Sequence, residues 1–285
     1  MMESRILYRV EFDPVLLQSD VDKILKSPPA SEDYSEYRFG IFHTYILRSP
    51  AGSEHDGLFR GLRGKTRNTP LGNSLAYINE TIDQIFDTDR LRMMRAYLLQ
   101  DAVLIPHRDY VEFKEDARRM VRLHLPVVTN PQALHSDGDI VFHMRVGEVW
   151  YLNVSEIHAA CNASDAPRLS LVLDFVVDGL PLESVFRIKP RAPLPEPEII
   201  HRPPLDPEFD KQIESLGSFL SDESFRDVAQ LLSRIHFYRQ APAGLFFEWL
   251  RRACAVTGRP ELIDKAEQFN KFLVTSREIG ERFIL

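Results

Sequence analysis

The chain has little cysteine. Cys161 and Cys254 are the two present in 285 residues, which excludes a disulfide framework and a four-thiolate zinc cluster. It has no long apolar run: nothing approaches the roughly 18 consecutive apolar residues of a membrane span. The opening Met-Met-Glu-Ser-Arg-Ile-Leu-Tyr-Arg lacks the apolar centre of a signal peptide. It also has no excess of positive charge. Thirty-five Lys and Arg oppose 42 Asp and Glu, a formal charge of -7, which disfavours a partner recognised through a phosphate backbone. The expectation is a cytoplasmic protein with neither membrane nor nucleic acid as partner. On that expectation, the sequon Asn79-Glu80-Thr81 is a chance match.

What remains is globular material. The chain is 44% hydrophobic and 27% charged, enough to bury a core, and its length suits one large domain or one with a smaller companion. Ile6, Tyr8, Val10 and Phe12 alternate as in a half-buried strand. Asp13-Pro14 reads as an N-cap and first helical residue, with Leu17, Val21, Ile24 and Leu25 on one face. Residues 28–76 read as loops with a strand near Phe42–Leu47, and Ser74 as the cap of a helix carrying Ile78, Ile82 and Ile85.

From Leu91 to Val177 the texture becomes β-rich. Short runs at Met93–Leu99, Ala102–Pro106, Met120–Val128, Ile140–Met144, Glu148–Leu152 and Leu169–Val177 are separated by turn residues. This spacing predicts an antiparallel sandwich or barrel rather than βαβ units. In the last run, Leu169, Leu171, Leu173, Phe175 and Val177 share one face, and Arg168, Ser170, Val172 and Asp174 the other. Seven prolines in residues 190–207 predict a stiff, extended, covering linker rather than a proline-recognition ligand. Beyond it, Phe225, Val228, Leu232 and Ile235, then Phe246, Trp249, Leu250 and Ala253, then Ile263, Ala266, Phe269 and Leu273 recur at helical spacing. The division expected is 1–189 for a β-domain with N-terminal helices, 190–207 for the linker and 208–285 for a helical domain.

The chemistry concentrates in Ile105-Pro106-His107-Arg108-Asp109. On an extended backbone, side chains two apart leave the same face, so His107 and Asp109 can meet one ion. His158, 49 residues beyond Asp109, supplies a third ligand. Two neutral imidazoles and one carboxylate on one side of a metal form the facial triad of non-haem Fe(II) oxygenases. Arg168 opens a strand ten residues after His158, with Ser170 on the same face. An arginine there can hold a distant carboxylate bidentately, which suits 2-oxoglutarate: its keto-acid end chelates iron and its far carboxylate needs a cation. A second His-x-Asp, His135-Ser136-Asp137, competes. It ends only 21 residues before His158, room for about two strands, whereas bringing a late strand beside an early one in a two-sheet roll takes four or five. His135 is therefore read as a pocket or turn residue. His107-Arg108-Asp109 also spells a kinase tripeptide, but Lys114 stands where that loop needs Asn. Both cysteines read as buried thiols.

The run Val103-Leu104-Ile105-Pro106-His107-Arg108-Asp109-Tyr110-Val111-Glu112 resembles the metal-binding strand of bacterial free-proline hydroxylases, the cis-3- and cis-4-hydroxylases that use Fe(II), 2-oxoglutarate and O2. Arg122-Leu123-His124-Leu125, Phe142-His143-Met144-Arg145, Gly147-Glu148-Val149-Trp150-Tyr151-Leu152 and Ile157-His158-Ala159-Ala160 match that pattern in order. So do an opening strand at Tyr77-Ile78-Asn79-Glu80 and the helical Phe247-Glu248-Trp249-Leu250. The resemblance implies a mainly β fold: a double-stranded β-helix (jelly-roll, cupin-like) core with a C-terminal α-helical region. It implies His107, Asp109 and His158 as iron ligands, Arg168 as the 2-oxoglutarate anchor and Ser170 beside it through an Arg-x-Ser variant. Arg95 and Arg122 match family arginines near the active site. One or both bind the substrate carboxylate, or else form a structural ion pair; His135 joins them as a substrate-pocket residue. Related halogenases lack the carboxylate ligand; Asp109 is present here, so hydroxylation is expected. One 4-hydroxylating subgroup carries a tryptophan near Gly40, where this chain has Phe42. Pipecolate, citrulline or a peptide Asp or Asn side chain are alternative substrates, and a jelly-roll protein that merely binds a metal or small molecule is the non-enzymatic alternative. A homodimer through the exposed faces of the C-terminal helices is a further expectation.

Overall fold

The computed structural model describes residues 3–30, 35–55, 64–189 and 193–285. The first three residues of the proline-rich connector, 190–192, lie outside the described residues. Strand β1 (Arg5–Arg9) leads into helix α1 (Pro14–Lys26), whose Asp13 cap accepts from the amides of Val15 and Leu16. Then follow β2 (Arg38–Ser49), β3 (Arg67–Asn68), α2 (Pro70–Ser74), α3 (Ala76–Ile85) and β4 (Leu91–His107). The strands β5 (Met120–Val128), β6 (Ala133–Asp137), β7 (Ile140–His143), β8 (Glu148–Tyr151), β9 (His158–Asn162) and β10 (Arg168–Val176) complete the barrel. A two-residue β11 (Glu198–Ile199) precedes α4 (Phe209–Gly217), α5 (Phe225–Tyr238), α6 (Leu245–Val256) and α7 (Pro260–Asn270).

The strands form one curled antiparallel sheet in the order β1-β8-β5-β10-β4-β9-β6-β7-β11, with β2 also on β4. Strand β4 joins the two halves. Leu91–Leu99 pair with β10, and Ala102–His107 pair with β9. Between them Asp101 takes a positive φ of 38°, a left-handed kink that turns the strand from one wall to the other. One wall is thus β8-β5-β10-β4 and the other is β4-β9-β6-β7, the two-sheet arrangement of a jelly roll.

Period-two alternation sorts the side chains. Leu169, Leu171, Leu173 and Phe175 join the cluster that also holds Val21 and Ile24 of α1 and Ile78 and Ile82 of α3. Leu134, Val141, Ala159 and Cys161 of the second wall share a cluster with Phe225, Phe246, Trp249 and Phe269 of the C-terminal helices. The connector lies along β7, where β11 pairs with His143 and Phe142 and Ile200 donates to Val141.

Several local expectations change. Met93–Leu99 and Ala102–Pro106 are one bent strand: Asp101 absorbs the kink, and β2 follows it through a register shift between Phe39 and Ile41. Tyr77–Glu80 is helical, within α3, so its apolar residues recur at 3.6 rather than 2. Ser74 does not cap α3; its hydroxyl donates back to Leu71 and closes α2. In α1, Leu25 is exposed and Asp20 is buried, where it accepts from the Ile78 amide and pairs with Lys23. The sequence pattern does not mark α4, β6 or β9 as separate elements.

Gly40 marks the place where β2 crosses the kink. Its φ is +84°, and a Cβ there would stand 1.9 Å from the Asp101 carbonyl oxygen. Gly138 has φ +60° and open space around its Cβ position, so it isolates the backbone penalty alone. Gly138→Ala should cost about 1 kcal/mol, and Gly40→Ala clearly more, about 3 kcal/mol or beyond. Equilibrium urea midpoints of the two variants measure the difference.

Candidate active site

The register of β4 against β9 sets His107 directly opposite His158. Their ring centroids lie 4.3 Å apart. Asp109 follows two residues after the end of β4, with its amide donating to the Val154 carbonyl. Its Oδ1 is 3.3 Å from His107 Nε2, and its Oδ2 is 3.6 Å from His158 Nε2. Ligand atoms of all three residues lie within 4.8 Å of one another, the one such cluster of His, Cys, Asp and Glu among the described residues. The Nδ1 of His107 meets the Ile105 carbonyl at 2.7 Å, and that of His158 meets the Glu156 carbonyl at 3.0 Å. A carbonyl accepts only, so each Nδ1 carries the proton and each Nε2 lone pair is available to a metal. Burial, then the neighbouring His158, lowers the His107 pKa and favours the neutral ligand form. Burial alone would raise Asp109, but the Arg122 guanidinium and the two imidazoles outweigh it and hold the carboxyl well below its ordinary range.

The inner face of β10 extends the site. Arg168 is buried, and its Nη2 stands 2.6 Å from His135 Nε2. No carboxylate pairs with it among the described residues, and burial pushes its pKa down to about 10. A buried guanidinium without an anion is costly, and a ligand carboxylate would relieve that cost. Ser170 is buried two residues on, on the same face. His124 and His135 are held well below the ordinary imidazole value by burial and then by Arg168, so both are neutral. His135 is thus beside Arg168 rather than with the residues that line the cavity next to the triad. Its partner in the competing motif, Asp137, accepts from the Ser4 amide instead.

Arg95 and Arg122 line that cavity together with His107 and Asp109. Both are tied from behind. Asp174 sits opposite Arg122 across β10 and β5 and is fully buried. Its Oδ2 takes Arg95 at 2.6 Å, and its Oδ1 takes Arg122 at 2.7 Å and the Tyr110 hydroxyl at 2.5 Å. Arg122 also reaches Asp109 Oδ2 at 2.6 Å. Arg95, Arg122, Asp174 and the triad carboxylate Asp109 are therefore parts of one network. Sequence reasoning puts Asp174 on the face of Arg168 and Ser170 but gives it no role; two charged residues and a serine at alternate positions around Val172 are the signal.

The donor set fits a ferrous ion. Two Nε2 lone pairs and one carboxylate converge, with their second atoms fixed, and the buried Arg168 fits the free end of a dicarboxylate.

Asp174 and Asp109 give the fold an acid limb. Burial would raise the Asp174 carboxyl, but Arg122 and Arg95 together lower it below its ordinary value. A folded-state pKa below the unfolded one adds stability that is present above about pH 4 and is lost as pH falls through the folded value. Asp174→Asn should therefore cost about 3–5 kcal/mol at pH 7, and the gap to the parent should narrow below pH 4. Urea unfolding across pH 2–7 measures it.

Two family models match the chain. The one described as L-proline 3-hydroxylase, C-terminal, covers residues 183–281, and the one described as Aspartyl/Asparaginyl beta-hydroxylase covers residues 57–177. L-proline cis-3-hydroxylase 1 from a Streptomyces species is 34% identical over 100% of this chain and 99% of its own length. L-proline cis-4-hydroxylase from Rhizobium meliloti (strain 1021) is 30% identical over 98% of this chain and 99% of its own. A 2OG-Fe(II) oxygenase family oxidoreductase from Burkholderia pseudomallei aligns over 59% of this chain and 82% of its own at TM-score 0.37 and 12% identity; so low a score leaves the fold to be read from this chain's own strand order. No helix among the described residues is long and apolar enough to cross a membrane. Matched end to end by enzymes of both regiochemistries, the chain belongs to the L-proline cis-hydroxylase family.

Proposed function

We propose that the chain is an Fe(II)- and 2-oxoglutarate-dependent dioxygenase that hydroxylates free L-proline at the cis-3 or cis-4 position, with release of succinate and CO2. The observation that carries this reading is one barrel interior holding the His107–Asp109–His158 cluster, its two imidazoles buried, and the buried Arg168, which has no carboxylate partner among the described residues. Ferrous ion and 2-oxoglutarate, when bound, supply the oxidising chemistry that places one atom of O2 on a ring carbon.

The protein positions and encloses. His107, Asp109 and His158 are the residues that would hold the ferrous ion. Arg168, fixed by His135 and flanked by Ser170, takes the far carboxylate of 2-oxoglutarate. Arg95 and Arg122 present guanidinium edges to the substrate carboxylate while Asp174 fixes their orientation. Leu104, Phe42 and Tyr97 give the same cavity apolar walls, which suit a pyrrolidine ring and keep out water.

The test is succinate formation with a panel of free amino acids, with and without Fe(II), followed by NMR of the product. L-Proline-dependent succinate and a cis-hydroxyproline are expected. The Aspartyl/Asparaginyl beta-hydroxylase match supports a second reading, which succinate formed only with an Asp- or Asn-containing peptide would favour. Asp109→Ala should abolish iron uptake and hydroxylation; retained activity removes it from the ligand set. Arg168→Ala should raise the KM for 2-oxoglutarate about 10- to 100-fold, the loss of a charge-assisted contact of about 1.5–3 kcal/mol, and leave the KM for L-proline nearly unchanged.

A further inference from the structure

The cavity beside the triad has a carboxylate that neither the ligand set nor the arginine network uses. Glu112 lines it together with Tyr37 and Arg277. Glu112 lies in the first turn after Tyr110, and its side chain is 13% exposed. Its Oε2 is 2.8 Å from Arg277 Nη2, whose own side chain is 7% exposed. Arg277 is brought there by the C-terminal segment. A π-turn at Lys271–Thr275 follows α7, and its Leu273 carbonyl accepts from the Arg108 amide. Arg277 then donates to the Phe272 carbonyl and lies over the Tyr37 ring at 5.2 Å. Arg282 pairs with the buried Glu36 beside Tyr37 at 2.8 Å.

The charges decide what this wall prefers. Arg95, Arg122 and Arg277 are paired with Asp174, Asp109 and Glu112. Equal numbers of cations and anions in a buried wall favour a ligand of no net charge, and a zwitterion meets that condition with one end for each sign. Asp109 is committed to the triad and Asp174 is fully buried behind the arginines. Among the described residues that line the cavity, Glu112 is the carboxylate outside the triad and outside the Asp174 network, and Arg277 holds it by Oε2.

We infer that Glu112, oriented by Arg277 from the C-terminal segment, receives the ammonium of the free amino acid and so selects zwitterionic substrates. This rests on the proposed function. It makes Glu112 a specificity residue and Arg277 a positioning residue.

The test compares L-proline with tetrahydrofuran-2-carboxylate, which keeps the ring and carboxylate but has oxygen in place of the ammonium. Both are measured as substrates or competitors in the succinate assay, in the wild type, Glu112→Gln and Glu112→Asp. Glu112→Gln should raise the KM for L-proline at least about tenfold, leave the KM for 2-oxoglutarate unchanged, and erase most of the wild-type preference for L-proline over the oxygen analogue. Glu112→Asp keeps the charge and should keep that preference, even if the KM moves, which also serves if the glutamine variant folds poorly. A preference that survives in Glu112→Gln, or that is lost equally in Glu112→Asp, overturns the assignment. A wild type that makes no succinate with L-proline strikes the proposed substrate instead, and the Glu112 ratio is then read on the amino acid that is turned over.

Discussion

The site depends on the kink in β4. One strand runs through both walls of the roll, and the left-handed Asp101 lets its first half pair with β10 and its second half with β9. The first pairing aligns Arg95 with Val172, and the partner strand β5 aligns Arg122 with Asp174. The second pairing sets His107 against His158. A one-residue slip in either register would send these side chains to the helix-covered faces. The leucines of β10 resist such a slip, because their burial against α1 and α3 is worth about 1.5–3 kcal/mol each. Apolar packing outside the barrel thus holds the polar constellation inside it.

Placing that many charges in a barrel interior needs compensation. Asp174 supplies it for two guanidinia at once, and Arg122 carries the link on to Asp109. The arrangement ties the orientation of the proposed carboxylate-binding arginines to a proposed metal ligand. Arg168 is the exception, since its close polar partner is a neutral imidazole. A cation left in this condition costs stability that a structural residue would not be expected to carry, which is why it supports a co-substrate anchor more strongly than its position in the sequence does.

Much of this was legible in the chain. His107 and Asp109 could be paired because a strand has a fixed period, and His158 because its distance suited the return of a late strand. The alternation of β10 separated the leucine face from Arg168, Ser170 and Asp174. What was not legible depended on contacts between distant segments. His135 reads as a pocket residue or as half of a rival motif, and only the β6–β9 pairing shows it beside Arg168. Tyr77–Glu80 is too short for its period to distinguish strand from helix, and its helical state follows from the docking of Ile78 and Ile82 against α1. Ion pairs have no period at all, so the tie of Arg95 and Arg122 to Asp174 could be stated only as one of two alternatives.

Arg277 is the extreme case, 165 residues from Glu112 in sequence and with no local motif. The C-terminal helices explain how it arrives. Their apolar faces cover the outer side of β4, β6 and β9, so α7 ends close to the mouth of the roll. The π-turn then swings the chain back until Leu273 accepts from the amide of Arg108, the residue between two of the proposed ligands. A helical region that reads from composition as mere packing therefore does two things: it shields the wall that carries His158, and it sets a guanidinium against the cavity. Phe272 and Leu273 of that turn are buried in the same cluster as α5, α6 and α7, so the place of the Arg277 guanidinium is tied to the packing of the helical region as well as to its own hydrogen bonds.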